Sequence, residues 1–286
     1  IHGDVNIGVR TETCFAMFSK QEGGIISLVY SGKEYITRVP KLSYWRAATD
    51  NDKGMKTEAL LSQWQAASLG QRYLDNRFEM EESEEKVTLT FFYEAGSIPK
   101  FTSSVVYTMH ADGVLEVAIT YPGVEEMPPL PLFGIDFKLK SRLNQAAYLG
   151  KGPMENYLDR KAGAKKGIYR TTPEQNLTPY LIPQECGNRT GISWLSITDD
   201  QEEGIEFIAL DGDFECSVLP YSAYELESAM HIYELPPVNY TWVRLIAKQM
   251  GVGGDDSWGA PIHDEYLINA QEPLTLRFAV KEHSSK

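Results

Sequence analysis

At 286 residues and 42% hydrophobic content, the chain is long enough for one large all-β domain or two ordinary ones, with a sizeable core. Its 27 Lys and Arg against 40 Asp and Glu give a net charge of -13, which works against nucleic acid and anionic membranes and leaves neutral or cationic ligands open. Three widely spaced cysteines, Cys14, Cys186 and Cys216, make neither a disulfide framework nor a zinc knuckle, which fits a reducing, cytoplasmic setting.

No stretch approaches the roughly 20 apolar residues that a membrane helix needs, and no charged-then-apolar leader opens the chain. The first residue is Ile1 and strand-like sequence follows within a few positions, as in a piece of something longer. Strands are predicted over 14–18 and 25–30, separated by Glu22-Gly23-Gly24. The segment from Tyr44 to Gly54 then gathers aromatic, cationic and acidic groups where a strand ends and a helix approaches. A calcium loop counted from Asp50 fails, because Met55 and Leu61 stand where an EF-hand needs glycine and a bidentate glutamate. A salt bridge from Arg46 to Asp50 or Asp52 that holds the loop is the plainer reading.

From Thr57 to Ser68, Leu60, Leu61, Trp64 and Ala67 recur at helix spacing. Period-two alternation takes over at Val87, Leu89 and Phe91, continues through 104–109, and returns after Asp112-Gly113 at Leu115, Val117 and Ile119. Met127-Pro128-Pro129-Leu130-Pro131 is too short and too close to strands to be a linker, so residues 1–286 are read as one domain. After a strand over 132–139, the glycines of Gly150-Lys151-Gly152 mimic a phosphate loop but lack its Gly-Lys-Ser/Thr ending. Glu155, Asp159 and Arg160 are expected instead to form a charged network bracing a long loop.

Tyr180 to Arg189 is rich in side chains that cross-link loops, and no histidine stands near Cys186 to make it a nucleophile. Strands over 192–198, 205–210, 214–219 and 241–247 follow, with a helix from Tyr221 to Met230, and 274–281 alternates again. Glycosylation triplets at Asn176, Asn188 and Asn239 carry no weight without a secretion signal. Before the last strand, Gly251, Gly253 and Gly254 free the backbone, Asp255 and Asp256 offer carboxylates, and Trp258 offers a flat apolar face with one N–H donor. That combination suits a sugar ring, whose C–H face stacks while its hydroxyls donate to acids, and the local string equally allows a tight turn with a core tryptophan.

About a dozen strands with few helices predict a large antiparallel sandwich rather than alternating strands and helices. His2, His110, His231, His263 and His283 have no metal-ligand spacing, and no Gly-x-Ser-x-Gly elbow is present. Glycoside hydrolysis needs two facing carboxyl groups, and no pattern picks out a pair. No catalytic residue, metal site or cofactor is assigned to this chain.

Four segments in order, Trp45 to Gly54, Gly150 to Arg160, Pro183 to Arg189 and Met250 to Trp258, closely resemble the C-terminal domain of LacZ-type β-galactosidases of glycoside hydrolase family 2, which in two-subunit enzymes is the separate small chain. The resemblance runs over nearly the whole chain. It implies a galactose-mutarotase-like β-supersandwich with one or two short helices, and catalytic glutamates on a TIM barrel elsewhere. It also implies that Trp258 stacks on the sugar, and that Gly54 is the hinge of a substrate-side loop holding Asp52, Lys53 and Met55. The departure is Ala48, where many relatives carry proline, which leaves the stiffness of that loop open. The partners implied are a β-galactoside and the barrel domain or large subunit, within an oligomer; any Mg2+ or Na+ belongs to other domains. Two rival readings are a free-standing aldose mutarotase or epimerase, which needs a histidine and a carboxylate facing one pocket, and a non-catalytic interaction domain.

Overall fold

The computed structural model describes residues 1–256 and 259–283. Among these residues nineteen strands form three antiparallel sheets. The ten-stranded sheet runs, in spatial order, Lys165–Thr171, Gln145–Gly152, Trp194–Thr198, Gly204–Ala209, Leu274–Glu282, Leu115–Tyr121, Thr102–His110, Lys86–Glu94 and Arg72–Tyr73, with Glu79–Glu82 also paired to Lys86–Glu94. The five-stranded sheet runs Arg189–Ile192, Phe214–Leu219, Tyr240–Gln249, Leu132–Lys140 and Lys41–Ser43. Asn6–Arg10, Cys14–Ser19, Gly24–Tyr30 and Lys33–Glu34 make the third sheet.

The alternating strands bury one face each, as Thr102–His110 and Leu115–Tyr121 do residue by residue. Their inward side chains meet across the sheets. Phe137 of the five-stranded sheet lies 5.2 Å from Phe207 and 6.0 Å from Phe278 of the ten-stranded one, ring centroid to centroid and edge to face. Phe18 of the third sheet sits 5.5 Å from Tyr107 and 6.5 Å from Phe91. The helix Thr57–Leu69 adds Trp64, fully buried and 5.9 Å from both Phe101 and Tyr121. Each such buried aromatic removes enough apolar surface from water to contribute roughly 1.5–3 kcal/mol.

Three expectations change. The helix expected from Tyr221 to Met230 is Ala223–Ser228, set by a capping box between Ser222 and Glu225. The strand expected over 192–198 breaks at Ser193, so that its halves join different sheets. Gly150 and Gly152 lie in a strand rather than a loop, and their missing side chains leave room for neighbours: a Cβ on Gly150 would come within 2.3 Å of Ile192. Two of the three glycosylation triplets have their asparagines, Asn176 and Asn188, buried. The cysteines are free and buried, and burial pushes the Cys186 thiol up to about 12, far from a reactive thiolate.

Sheet topology brings together two of the segments singled out from the sequence. Lys41–Ser43 and Tyr240–Gln249 both pair antiparallel with Leu132–Lys140, so they run in the same direction on either side of it. Ser43 lies opposite Gly134 and Gln249 opposite Leu132. The segments that follow them, from Tyr44 and from Met250, therefore leave the same end of the sheet as neighbours.

Candidate functional site

The first of these segments contains a short helix, Asp50–Gly54, started by a capping box. Thr49 Oγ1 accepts the Asp52 N–H at 3.0 Å, and the Asp52 carboxylate accepts the Thr49 N–H at 3.0 Å. Arg46, only 2% exposed, is the tie between the two segments. It donates to Asp52 at 3.1 and 3.2 Å and to the carbonyls of Met250 and Gly251 at 2.8 Å each. The expected salt bridge is thus present, with Asp52 rather than Asp50 as partner. Asp50 turns the other way and exchanges two hydrogen bonds with the Gln184 side chain, at 2.9 and 3.0 Å.

A second tie comes from the turn between Tyr157 and Arg160, in the connection between two strands of the ten-stranded sheet. Asp159 Oδ2 accepts the backbone N–H groups of Val252 and Gly253 at 2.8 Å each. A Cβ at Gly251 would come within 2.7 Å of the same oxygen, which is why the glycine is needed there. Farther along, Gly259 has φ +112, and a Cβ on it would stand 2.7 Å from the Gly54 carbonyl oxygen. The glycine-rich loop therefore meets the helix Asp50–Gly54 at both its ends, through Arg46 and through Gly259.

Behind this pair, Asn156 and Asn188 zip two further segments together, the Asn156 N–H donating to the Asn188 carbonyl at 2.8 Å and Asn188 Nδ2 returning to the Asn156 carbonyl at 3.0 Å. Burial would raise the Glu155 carboxyl, but the Gly187 N–H, the Tyr180 and Thr178 hydroxyls and Arg160 outweigh it and hold the group below its ordinary range. The network expected of Glu155, Asp159 and Arg160 thus divides: Glu155 pairs with Arg160 at 2.5 Å, while Asp159 holds the glycine loop.

Of the residues singled out from the sequence, Trp258 lies outside the described residues. Asp52 is 4% exposed with both carboxylate oxygens engaged inside the loop, so its side chain holds the loop together instead of facing outward. Lys53 is half-buried and Gly54 exposed, while Met55 packs back onto the hydrophobic core. The left-handed residue of the loop is Lys56, φ +58, which sets the angle between the two helices.

The structure also gathers residues that the sequence left scattered. Asn51, Asp159, Arg160, Val252, Gly253, Gly254, Asp255, His263 and Tyr266 line an open cleft of about 360 Å³. His263 Nε2 lies 2.8 Å from Asp255 Oδ1, with both side chains largely solvent-accessible. No local spacing betrays that pair, since the connection runs across the glycine loop.

The chain matches the family model described as Beta galactosidase small chain over residues 10–280. It is 44% identical over 283 residues to a β-galactosidase of Halalkalibacterium halodurans, covering 98% of this chain and 28% of that protein. A β-galactosidase small subunit of Latilactobacillus sakei is 35% identical over 308 residues, covering 98% of this chain and 96% of that subunit. The chain thus spans 27–28% of the length of the first curated relatives and nearly all of the small subunit. A galactose mutarotase-like protein from Lactobacillus casei superposes with a TM-score of 0.51 at 13% identity, over 97% of this chain and 100% of the other, a likeness of fold alone.

Proposed function

Because this chain belongs to the β-galactosidase small-chain family, we propose that it is the small subunit or C-terminal domain of a β-galactosidase of the glycoside hydrolase family 2 type, which hydrolyses terminal non-reducing β-D-galactosides. The observation that carries the reading is one of proportion. A chain that spans 28% of one relative and 96% of another, a small subunit, corresponds to a unit that works beside a larger one. In this account the partner supplies the acid/base and nucleophile carboxyls, and this chain supplies one wall of the pocket. The wall is built from the helix Asp50–Gly54 and the glycine loop, held together by Arg46 and Asp159. Lys53, half-buried, and Gly54, exposed, form its outer rim in this reading, and the family resemblance assigns the stacking role to Trp258.

Stacking of one aromatic side chain contributes about 1 kcal/mol. In the assembled enzyme, Trp258→Ala should therefore raise KM for a chromogenic galactoside about fivefold, with a smaller change in kcat. A KM unchanged within experimental error would remove Trp258 from the pocket. The mutarotase reading now has one observation in its favour, the His263–Asp255 pair in one cleft. Following the optical rotation of fresh α-galactose decides it: acceleration by this chain favours mutarotation, and an unchanged decay favours the pocket wall.

A further inference from the structure

We propose that the outer face of the five-stranded sheet carries a second ligand site, at Arg38, Lys41 and Lys138, for a small molecule bearing a phosphate group. The assignment is independent of the galactosidase reading, because these residues belong to neither loop of the wall.

Sheet register gathers the cations. Phe137 and Leu139 turn into the core, so Asp136, Lys138 and Lys140 share the opposite face. Lys138 lies across from Trp242 and Lys140 from Tyr240, while Asp136 has Lys41 on one side and Arg244 on the other. Arg38 is held beside this row because Thr37 donates its N–H and its hydroxyl to the Lys138 carbonyl, at 3.0 and 2.8 Å. The Arg38 guanidinium lies 4.7 Å from the Trp242 ring centroid, and the Lys138 ammonium 3.6 Å from that of Tyr240 and 5.3 Å from that of Trp242. The rings hold these cations in place without neutralising them. Lys138, Tyr240 and Trp242 are half-buried and Lys140 exposed, so the face opens to solvent.

What the cluster lacks is an anion. Elsewhere Lys100, Arg142, Lys166 and Lys281 each meet a carboxylate within 3.2 Å. Among the described residues Arg38, Lys41, Lys138 and Lys140 meet none, in a chain whose net charge is -13. Asp136 is bound to Arg244 at 2.9 Å, and Glu225 caps a helix by accepting the Ser222 N–H and hydroxyl at 2.7 and 2.8 Å. Burial lowers the Arg38 guanidinium, and the charges of Asp136 and Glu225 offset this only in part. Desolvation, and then the Arg38 charge itself, lower the Lys41 and Lys138 ammonium groups. Positive charge is thus crowded together at a cost that a bound anion relieves.

The charge count selects the ligand. With Asp136 bound to Arg244, the three cations Arg38, Lys41 and Lys138 against the one carboxylate of Glu225 leave two positive charges. A phosphate monoester brings about 1.5 to 2 negative charges at neutral pH, and a single carboxylate meets only half the need. Arg38 Nε is closed off by the protein, so contact falls to the terminal nitrogens, which donate to no protein group among the described residues. Their fork matches phosphate oxygens. A long polyanion would run from this patch onto the acid-rich remainder of the chain, which restricts the ligand to a compact one. The galactoside wall is distant, since Trp242 precedes Gln249 by seven residues, roughly 23 Å of strand.

Calorimetric titration of the assembled enzyme with inorganic phosphate, at an ionic strength held constant with chloride, tests the site. One phosphate should bind per chain, with an affinity that falls at least about tenfold in Arg38→Gln and by a smaller factor in Lys138→Gln. Neither change removes a hydrogen bond or an ion pair, so the fold is retained. Lys166→Gln, which removes a cation paired with Asp213, should leave the affinity at the parent value. No binding at about 10 mM phosphate, or an affinity in Arg38→Gln and Lys138→Gln equal to that of the parent or of Lys166→Gln, overturns the site. Acetate bound as tightly as phosphate overturns the ligand class. Binding by the purified chain that disappears on assembly with the large subunit also overturns the proposal, because a segment of the partner then covers the face.

Discussion

Arg46 and Asp52 are a buried ion pair, and such a pair is worth less for its own attraction than for what is stranded when one member is lost. Arg46→Met leaves Asp52 inside with only the Thr49 N–H to compensate its charge, and frees the carbonyls of Met250 and Gly251. Unfolding in urea should register a loss of roughly 3–5 kcal/mol, with part regained when Asp52→Asn is added. A loss below about 0.5 kcal/mol would mean the tie is ornamental. Glu215 gives a residue-level signal of a different kind. Burial raises its carboxyl from an ordinary 4.5 to about 7, against a hydrogen bond from Asn188 Nδ2 at 2.8 Å. Between those values the folded chain holds a proton that the unfolded chain has released, so this group withdraws stability as pH rises through the window, by at most about 3 kcal/mol. Glu215→Gln should flatten the fall between pH 4.5 and 7 and be the more stable protein above it; equal slopes for the two proteins in that window would contradict the assignment.

Elements were legible where one face is buried and illegible where a neighbour sets the face. Val87, Leu89 and Phe91, and Leu115, Val117 and Ile119, write period two because they line the core. Lys165–Thr171 is an edge strand with no residue fully buried, and Gln145–Gly152 turns Ala146, Gly150 and Gly152 inward, so neither spells out an apolar alternation. The same limit governs the site. The composition of the Gly251 to Trp258 segment suggested a binding loop, a substrate-side role for the Tyr44 to Gly54 segment came only from the family resemblance, and the Arg46 salt bridge was readable because its partner is six residues away. The Asp159 bonds to Val252 and Gly253 join residues 93 and 94 apart, and only the meeting of two connections from different sheets brings them together. At this scale Asp159→Ala should disturb the glycine loop without disturbing either sheet. Amide exchange at Val252 and Gly253 should speed up by at least tenfold, while Thr102–His110 remains protected. Equal acceleration in both places would make Asp159 a general stabiliser instead.

For the whole molecule, three antiparallel sheets clasp one another through aromatic contacts, and the loops of interest leave one end of the five-stranded sheet side by side. The antiparallel all-β class came from pattern, with about a dozen strands expected where nineteen are described; the division into three sheets and the convergence of the loops came from topology, which no local string records. The chain spans a little over a quarter of the length of the curated relatives it first matches, and in the proposed reading it completes a larger unit. The most direct test is to assay a chromogenic β-galactoside with the purified chain alone and again after adding the barrel-bearing large subunit. The account predicts no turnover by the chain alone and hydrolysis on assembly. Sustained galactoside hydrolysis by the isolated chain would contradict it.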